Sequence, residues 1–308
     1  MIRVAVAVTE VGPTAAAGDF FTALELGTAL TERFGWQVEY RPREAWYDLR
    51  GVQLLLVLLP DYELGKIQGA ESDLVRLGWA RNWFEAWGTL PWLQEYDRVL
   101  ASSVAGLRFL SEQSGRLGTL FRIATNPDRF GLARQRSSPK WEVVFTGSFW
   151  GTRRDIIPSM LALQGSCRLG LFGKNWEQVP EVAGWHQGFL PYAELPELYQ
   201  QSLLVIDDAN HVTKTWGAAN SRVFDALAAG CLVISNSQSV SEEVFGGKLP
   251  VYRDPVHLKQ LVTHFLHSAQ DRETLVSHLR QKVLKEHTYA HRAWQLEFVL
   301  KQLKPEWF

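Results

Sequence analysis

Apolar residues in this chain fall into short continuous runs, separated by longer stretches in which every third or fourth position is apolar. Continuous runs of roughly four to eight β-branched and aliphatic residues read as strands buried on both faces. The wider spacing reads as helix packed along one side. In the first half the pattern predicts strands at Ile2–Val8, Trp36–Tyr40, Val52–Leu59, Leu74–Ala80, Arg98–Ala101 and Leu117–Ala124. Helices are predicted at Phe20–Phe34 and Val104–Gln113. The pattern then restarts, with strands at Glu142–Thr146, Cys167–Phe172, Leu203–Asp207 and Cys231–Ser235 and a strand-like piece at Trp185–Phe189. Helices follow at Arg153–Leu163, Leu195–Gln201, Val256–Ala269, Arg272–Lys285 and His291–Leu303, with Pro158 marking a kink or a delayed start in the first of them. Strands alternating with helices imply the α/β class, with a doubly wound, Rossmann-like parallel sheet in each half. Thr125–Trp141, polar and with two prolines, is the linker candidate. The expected domains are residues 1–130 and 140–290.

The stretch Asn220–Asn236, NSRVFDALAAGCLVISN, reads as helix, stop, strand. Asn220 or Ser221 suits the helix N-cap. The apolar body of the helix predicts burial, and Gly230 is placed to end it. Arg222 and Asp225 lie three residues apart, on one face of this helix. Buried charges require partners. Either the two pair with each other, or the helix start meets a polar ligand. An Arg at a helix N-terminus suits a phosphate, and a carboxylate one turn later suits sugar hydroxyls.

Composition narrows the options. At 308 residues the chain is long enough for two domains, and 46% hydrophobic with 21% charged residues is usual for a globular protein. A formal net charge of −1 gives no bulk electrostatic case for nucleic acid. Cys167 and Cys231 sit in apolar segments and read as free thiols of a reducing compartment. No metal-ligand spacing, signal peptide or membrane-length apolar run is evident, so a cytoplasmic location without a metal or cofactor is expected. Tryptophan is abundant, at 13 residues.

In open parallel sheets ligands bind beyond the carboxyl ends of strands, which directs attention to the loops there. GSFWGTRR, Gly147–Arg154, offers a glycine for close backbone approach, the hydroxyls of Ser148 and Thr152, and the cations Arg153 and Arg154. That set suits a diphosphate, although it is neither a Walker loop nor a dinucleotide fingerprint. Asp207, Asp208, Asn210 and His211 end a strand and read as a turn, or as a sugar or metal site. Asp19 serves either as a catalytic carboxylate or as the cap of the helix that follows. In the aromatic segment Trp79–Trp92, Trp87 and Trp92 are expected to pack, and Arg81 and Asn82 to be exposed in a cleft, since burying both unpaired would be costly.

Together these residues resemble the GT-B fold glycosyltransferases of the group 1, family 4-like type, including the spore-maturation branch. RVFDALAAGCLVIS is similar to that family's R-x-x-E-A-x-A-x-G segment, with Asp225 in place of Glu. VFTGSFWGTRRD, LFGKNWE, GFLPYAELPELYQQS, TNPDRF and GDFFTALELGTAL are further matching pieces. The resemblance implies two Rossmann-like domains facing across a cleft, with helix 291–308 crossing back to the first. It implies donor contacts from Gly147, Ser148, Arg153, Arg154, Lys174, Phe189, Leu190, Asn220, Ser221, Arg222 and Asp225, the last holding a ribose. It places Asp19, Arg81 and Asn82 at the catalytic, acceptor side. Two departures stand out: the position of a further family Glu falls near Gly217, and the usual His after a middle strand is replaced by Arg81–Asn82. The activity implied is transfer of a sugar from a nucleotide-diphosphate donor to a hydroxyl acceptor, retaining and metal-independent. The acceptor would be a glycan, a lipid-linked intermediate or a small molecule, and weak peripheral membrane association is allowed. The alternatives are a nucleotide-sugar epimerase and a non-catalytic nucleotide-sugar-binding protein.

Overall fold

The computed structural model describes residues 1–12, 14–131, 139–152 and 154–308. Arg153 and much of the predicted linker therefore lie outside the described residues. The first half runs β1 (Arg3–Ala7), α1 (Gly18–Phe34), β2 (Gln37–Arg41), β3 (Leu54–Val57), β4 (Val75–Ala80), α2 (Phe84–Gly88), β5 (Arg98–Ala101), α3 (Val104–Ser114) and β6 (Thr119–Leu120). The second half runs α4 (Pro127–Phe130), β7 (Trp141–Thr146), α5 (Ile156–Ala162), β8 (Leu169–Phe172), α6 (Leu195–Gln200), β9 (Ser202–Asp207), α7 (His211–Lys214), α8 (Ser221–Ala228), β10 (Leu232–Ser235), α9 (Gln238–Phe245), α10 (Pro255–His267) and α11 (Ala269–Glu286). A last helix, α12, spans Tyr289–Leu303.

The chain divides into two compact units. The first holds Met1–Ala124, Thr215–Ala219 and His287–Phe308; the second holds Thr125–Lys214 and Asn220–Glu286. The first has a six-stranded sheet in the order β2-β1-β3-β4-β5-β6, and the second a four-stranded sheet in the order β10-β9-β7-β8. Every strand pairing named between them is parallel, so the α/β class read from the pattern holds. Register follows the apolar runs: Val4 lies opposite Val38 and Leu54, and Val143 opposite Leu169 and Leu204.

Large aromatics fill both cores. Trp79, Phe84, Trp87 and Tyr96 are buried in the first unit, as are Phe145, Trp176, Tyr199, Phe224 and Phe245 in the second. Each such side chain contributes about 1.5–3 kcal/mol relative to exposure. Trp87 packs as expected, and Trp92 is half-buried against the same cluster. Within the first unit, α12 packs along α1, and Arg292 ties it to the sheet's last connection by donating to the carbonyls of Arg122 at 2.6 Å and Ile123 at 3.4 Å.

Three expectations need correction. Leu117–Ala124 forms only the short β6, because the carbonyls of Phe121, Arg122 and Ile123 serve Trp79 and Arg292 side chains instead of a neighbouring strand. Trp185–Phe189 is not a strand; a 3-10 turn at Pro180–Trp185 leads to a single bridge between His186 and Leu171. The helix expected from Arg153 starts at Ile156, which places Pro158 in its first turn, where no N–H is needed. No helix among the described residues is long and apolar enough to cross a membrane.

Candidate functional site

In the second unit the carboxyl ends of β7, β8 and β9 converge with the start of α8. Gly147 and Gly173 follow β7 and β8 directly, with φ of 155° and 148°, where side chains are disfavoured. A Cβ on Gly173 would collide with the carbonyl of Gly147, and one on Gly147 would press on the Arg222 guanidinium. The two loops are stitched together: Phe149 N–H donates to Lys174 O at 2.9 Å, Lys174 N–H to Ser148 Oγ at 3.1 Å, and Trp176 Nε1–H to Gly147 O at 2.7 Å.

Two arginines lie against the Phe145 ring, Arg222 at 4.6 Å and Arg154 at 5.2 Å from its centroid. Each is held by one member of the Asp207–Asp208 pair. Arg154 donates from Nε to Asp208 Oδ2 at 2.8 Å, from Nη2 to Asp208 O at 2.7 Å, and from Nη1 to Ser148 O at 3.3 Å. Arg222 donates from Nη1 to Asp207 Oδ1 at 3.0 Å. Asp207 also accepts from Asn220 Nδ2 at 2.8 Å and Ser235 Oγ at 2.7 Å. Both aspartates are 1% exposed. Burial pushes the Asp208 carboxyl above its ordinary value, and Arg154 opposes that rise. Burial likewise pulls the Arg154 guanidinium down, with Asp208 opposing.

This arrangement corrects the sequence reading in several places. Arg222 pairs with Asp207, fifteen residues away, and not with Asp225. Asp225 is buried and accepts from Thr125 Oγ1 at 2.7 Å. Asn220 occupies the N-cap position of α8, but its side chain serves Asp207 and makes no capping bond. Asp207 and Asp208 are buried ion-pair partners and more than a strand-ending turn. Every guanidinium nitrogen of Arg154 is engaged within the frame, whereas the buried Nε of Arg222 has no partner among the described residues. Thus Gly147, Ser148, Arg154, Asn220, Ser221 and Arg222 come together. Lys174 is exposed, with Nζ 4.8 Å from the centre of the Phe189 ring. Leu190, half-buried, follows Phe189. His186 is structural, its Nε2 2.8 Å from Gly173 O. Phe145, Thr125 and Gly173 were not anticipated as parts of the site. For Gly173 a signal was present, a glycine directly after a predicted strand.

In the first unit Asp19, Arg81 and Asn82 gather beyond β1 and β4. Asp19 lies in the first turn of α1 and is not its cap; its Oδ2 accepts the Thr9 N–H at 2.5 Å. The amides of Ala16 and Ala17, just before the helix, are held by Glu10 Oε1 at 2.6 and 2.8 Å, a role the sequence did not disclose. Arg81 reaches Thr22 Oγ1 at 3.5 Å, and its buried Nε has no partner among the described residues. Burial lowers the Arg81 pKa, while Asp19 and Tyr289 favour the charged form. Arg81 and Asn82 are half-buried.

A family model described as glycosyl transferase-like matches residues 136–297, more than half of the chain. The chain belongs to the glycosyl transferase-like family. Solved structures agree on the fold of this family member, which is that of the GT-B glycosyltransferases. Sucrose-phosphate synthase from Thermosynechococcus elongatus matches with a TM-score of 0.70 at 15% identity, covering 99% of this chain and 100% of that one. Anabaena Alr3699/HepE, in complex with UDP and glucose, matches with a TM-score of 0.69 at 10% identity, covering 98% and 100%. A mutant of T4 phage BGT in complex with UDP-glucose matches with a TM-score of 0.65 at 12% identity, covering 98% and 99%. A search of curated proteins found no match. The family resemblance read from the sequence therefore holds at the level of the family and its fold.

Proposed function

We propose that this protein is a cytoplasmic glycosyltransferase that moves a hexosyl group from a nucleotide-diphosphate donor to a hydroxyl acceptor, with retention of configuration. The observation that carries this reading is Arg222. It is fixed by Asp207 and Phe145 beside a glycine, at the uncapped start of α8, with N–H capacity left over. A buried N–H without a partner costs about 1–3 kcal/mol, and a phosphate oxygen would satisfy it. The amides at the start of α8 add favourable dipoles for the same anion. Charge that develops on the departing diphosphate would be met by groups already in place. Asp225, one turn further along, is assigned to the ribose, and Lys174, Phe189 and Leu190 to the base side. Asp19, Arg81 and Asn82 are assigned to the acceptor.

The known structures make this donor class reasonable, since T4 phage BGT and HepE are described with UDP or UDP-glucose. We read the transfer as independent of a metal because Arg222 and α8 supply the positive field. One T4 phage BGT structure is described with UDP and Mn2+, so activity with and without EDTA is the necessary check. The primary test is a thermal-shift screen of UDP, GDP, dTDP and CMP sugars. A donor at a hundredfold excess over its Kd stabilises the native state by about 2.7 kcal/mol. A flat response to the whole panel would sink the proposal.

One observation favours a second reading, nucleotide-sugar binding without transfer. Gly217 stands where the family resemblance expects a Glu, and its φ of 63° is one that glycine adopts readily. A donor that binds but yields neither transfer nor hydrolysis over a broad acceptor panel would select it.

A further inference from the structure

Asn236 directly follows β10 and is buried. It grips three successive residues at the end of β9. Its backbone N–H donates to Asp207 O at 3.2 Å. Its Nδ2 donates to Asp208 Oδ1 at 3.0 Å and Ala209 O at 3.1 Å, with Asp155 Oδ2 at 3.2 Å. Its Oδ1 accepts the Ala209 N–H at 2.7 Å. The oxygen meets a donor and the nitrogen meets only acceptors, so the position calls for an amide. A carboxylate of the same shape would set negative oxygen against Asp208, Asp155 and a carbonyl.

The other oxygen of Asp208 accepts from Arg154 Nε at 2.8 Å, and Arg154 donates onward to the Ser148 carbonyl at 3.3 Å. Ser148 adjoins Gly147, the glycine that Arg222 lies against. A chain of hydrogen bonds thus runs from Asn236 through Asp208 and Arg154 to the loop beside Arg222. We infer that Asn236 and Arg154 are positioning residues that do not touch the diphosphate. Asn236 aims Asp208 at Arg154, and Arg154 holds the Ser148 carbonyl, which fixes Gly147 and Ser148 against Arg222. This deepens the transferase reading and rests on it for the diphosphate. The hydrogen-bonded latch itself does not depend on the donor.

The test compares the full-length wild type with Asn236→Asp at about pH 5 and about pH 8, values that bracket the raised titration of a buried carboxyl beside another. The charged and titratable groups that act on Asp208 are Arg154, Arg222, Asp207 and Tyr252. Asp155, the second carboxylate in reach of Asn236, is exposed and paired with Lys214 at 3.0 Å. At the lower pH the introduced carboxyl is protonated and donates to Asp208 as the amide does. At the higher pH it ionises, and like charges push the latch apart. A folded pKa raised in this way gives stability that is lost as pH rises. The urea midpoints of the two proteins should therefore coincide at the lower pH, and the variant's should fall behind at the higher one. A gap of equal size at both pH values, or none at either, overturns the latch.

The second readout is calorimetry with UDP and with uridine under the same conditions. Asn236→Asp should weaken UDP binding about tenfold relative to wild type at the higher pH, by less than about twofold at the lower, and leave uridine unchanged. Arg154→Lys, which keeps the charge and loses the fork that spans Asp208 and Ser148, should weaken UDP about as much. UDP affinity unmoved in Asn236→Asp at the higher pH, with its urea midpoint lowered, overturns the positioning role of Asn236. UDP affinity unmoved in Arg154→Lys overturns that of Arg154. A wild type that binds no UDP, with the pH-dependent stability gap intact, overturns the donor assignment and leaves the latch standing.

Discussion

Each unit gathers charged side chains beyond the carboxyl ends of a parallel sheet, and the two units wire those charges in opposite ways. In the second, Asp207 accepts three side-chain hydrogen bonds and every guanidinium nitrogen of Arg154 is engaged. In the first, no ion pair among the described residues closes between Asp19 and Arg81, and Arg81 has a single long bond to Thr22. A saturated network keeps its shape without a ligand, because moving one member unmakes several bonds. A sparse one leaves donors uncommitted until a substrate arrives. On the assignments proposed above, the phosphate-binding residues are the preformed set and the acceptor-binding residues the adaptable one.

The comparison breaks hardest at Asp207. Asp207→Ala would leave the Arg222 guanidinium buried without its counter-charge and strand the Asn220 and Ser235 donors. Removing one partner of a buried pair costs about 3–5 kcal/mol, so the urea midpoint should fall steeply. Asp19→Ala, which removes the acceptor of the Thr9 N–H and the carboxylate that favours the charged Arg81 without pairing with it, should cost less, about 1–3 kcal/mol. Similar losses from both substitutions would show that the two networks are not wired differently. A second and smaller effect concerns ligand affinity. Arg222→Ala should weaken UDP binding by about 1.5–3 kcal/mol, the worth of hydrogen bonds to a charged group, and leave uridine almost untouched in calorimetry. Equal losses for UDP and uridine would remove Arg222 from the phosphate.

The contrast also marks what the sequence could disclose. Strands and helices were legible because burial on both faces leaves continuous apolar runs, and amphipathic helices keep their period. Gly147 and Ser148 were legible because they directly follow a strand, and Arg222 because it opens a helix. The partnership of Asp207 with Arg222 was not, since nothing in local spacing links residues on different elements. The helix α9 was passed over although Ser237, which caps it by accepting from Val240 N–H at 3.4 Å, precedes a spaced apolar pattern. Thr215–Ala219 joins the first unit through Trp216, whose Nε1–H donates to Glu85 at 2.7 Å and whose ring meets Phe84 and Phe109. The pattern gives no sign of this, because one tryptophan between two elements has no period.

The smallest expected effect sets the surface pairs of the first unit against the buried pairs of the second by pH. Glu297 on α12 accepts from Arg33 of α1 and from Lys301, and those bonds hold its carboxyl below the ordinary value of 4.5. Glu39 is lowered in the same sense, first by its bond to Arg3. A carboxyl whose folded pKa is depressed contributes stability that is complete above its unfolded value and disappears as pH falls through the folded one. Asp208 runs the other way: its raised carboxyl takes up a proton more readily in the native state, so its ionisation disfavours the fold as pH rises. Acid should therefore loosen the tether between α12 and α1 without loosening the core of the Asp208 frame. Glu297→Gln should lower the urea midpoint by the equivalent of about 0.2–1 kcal/mol at pH 6, the range of exposed pairs. The gap between wild type and variant should close as pH drops well below 4.5. A gap of the same size at both pH values would mean that packing of α12, rather than the Glu297 charge, joins it to α1.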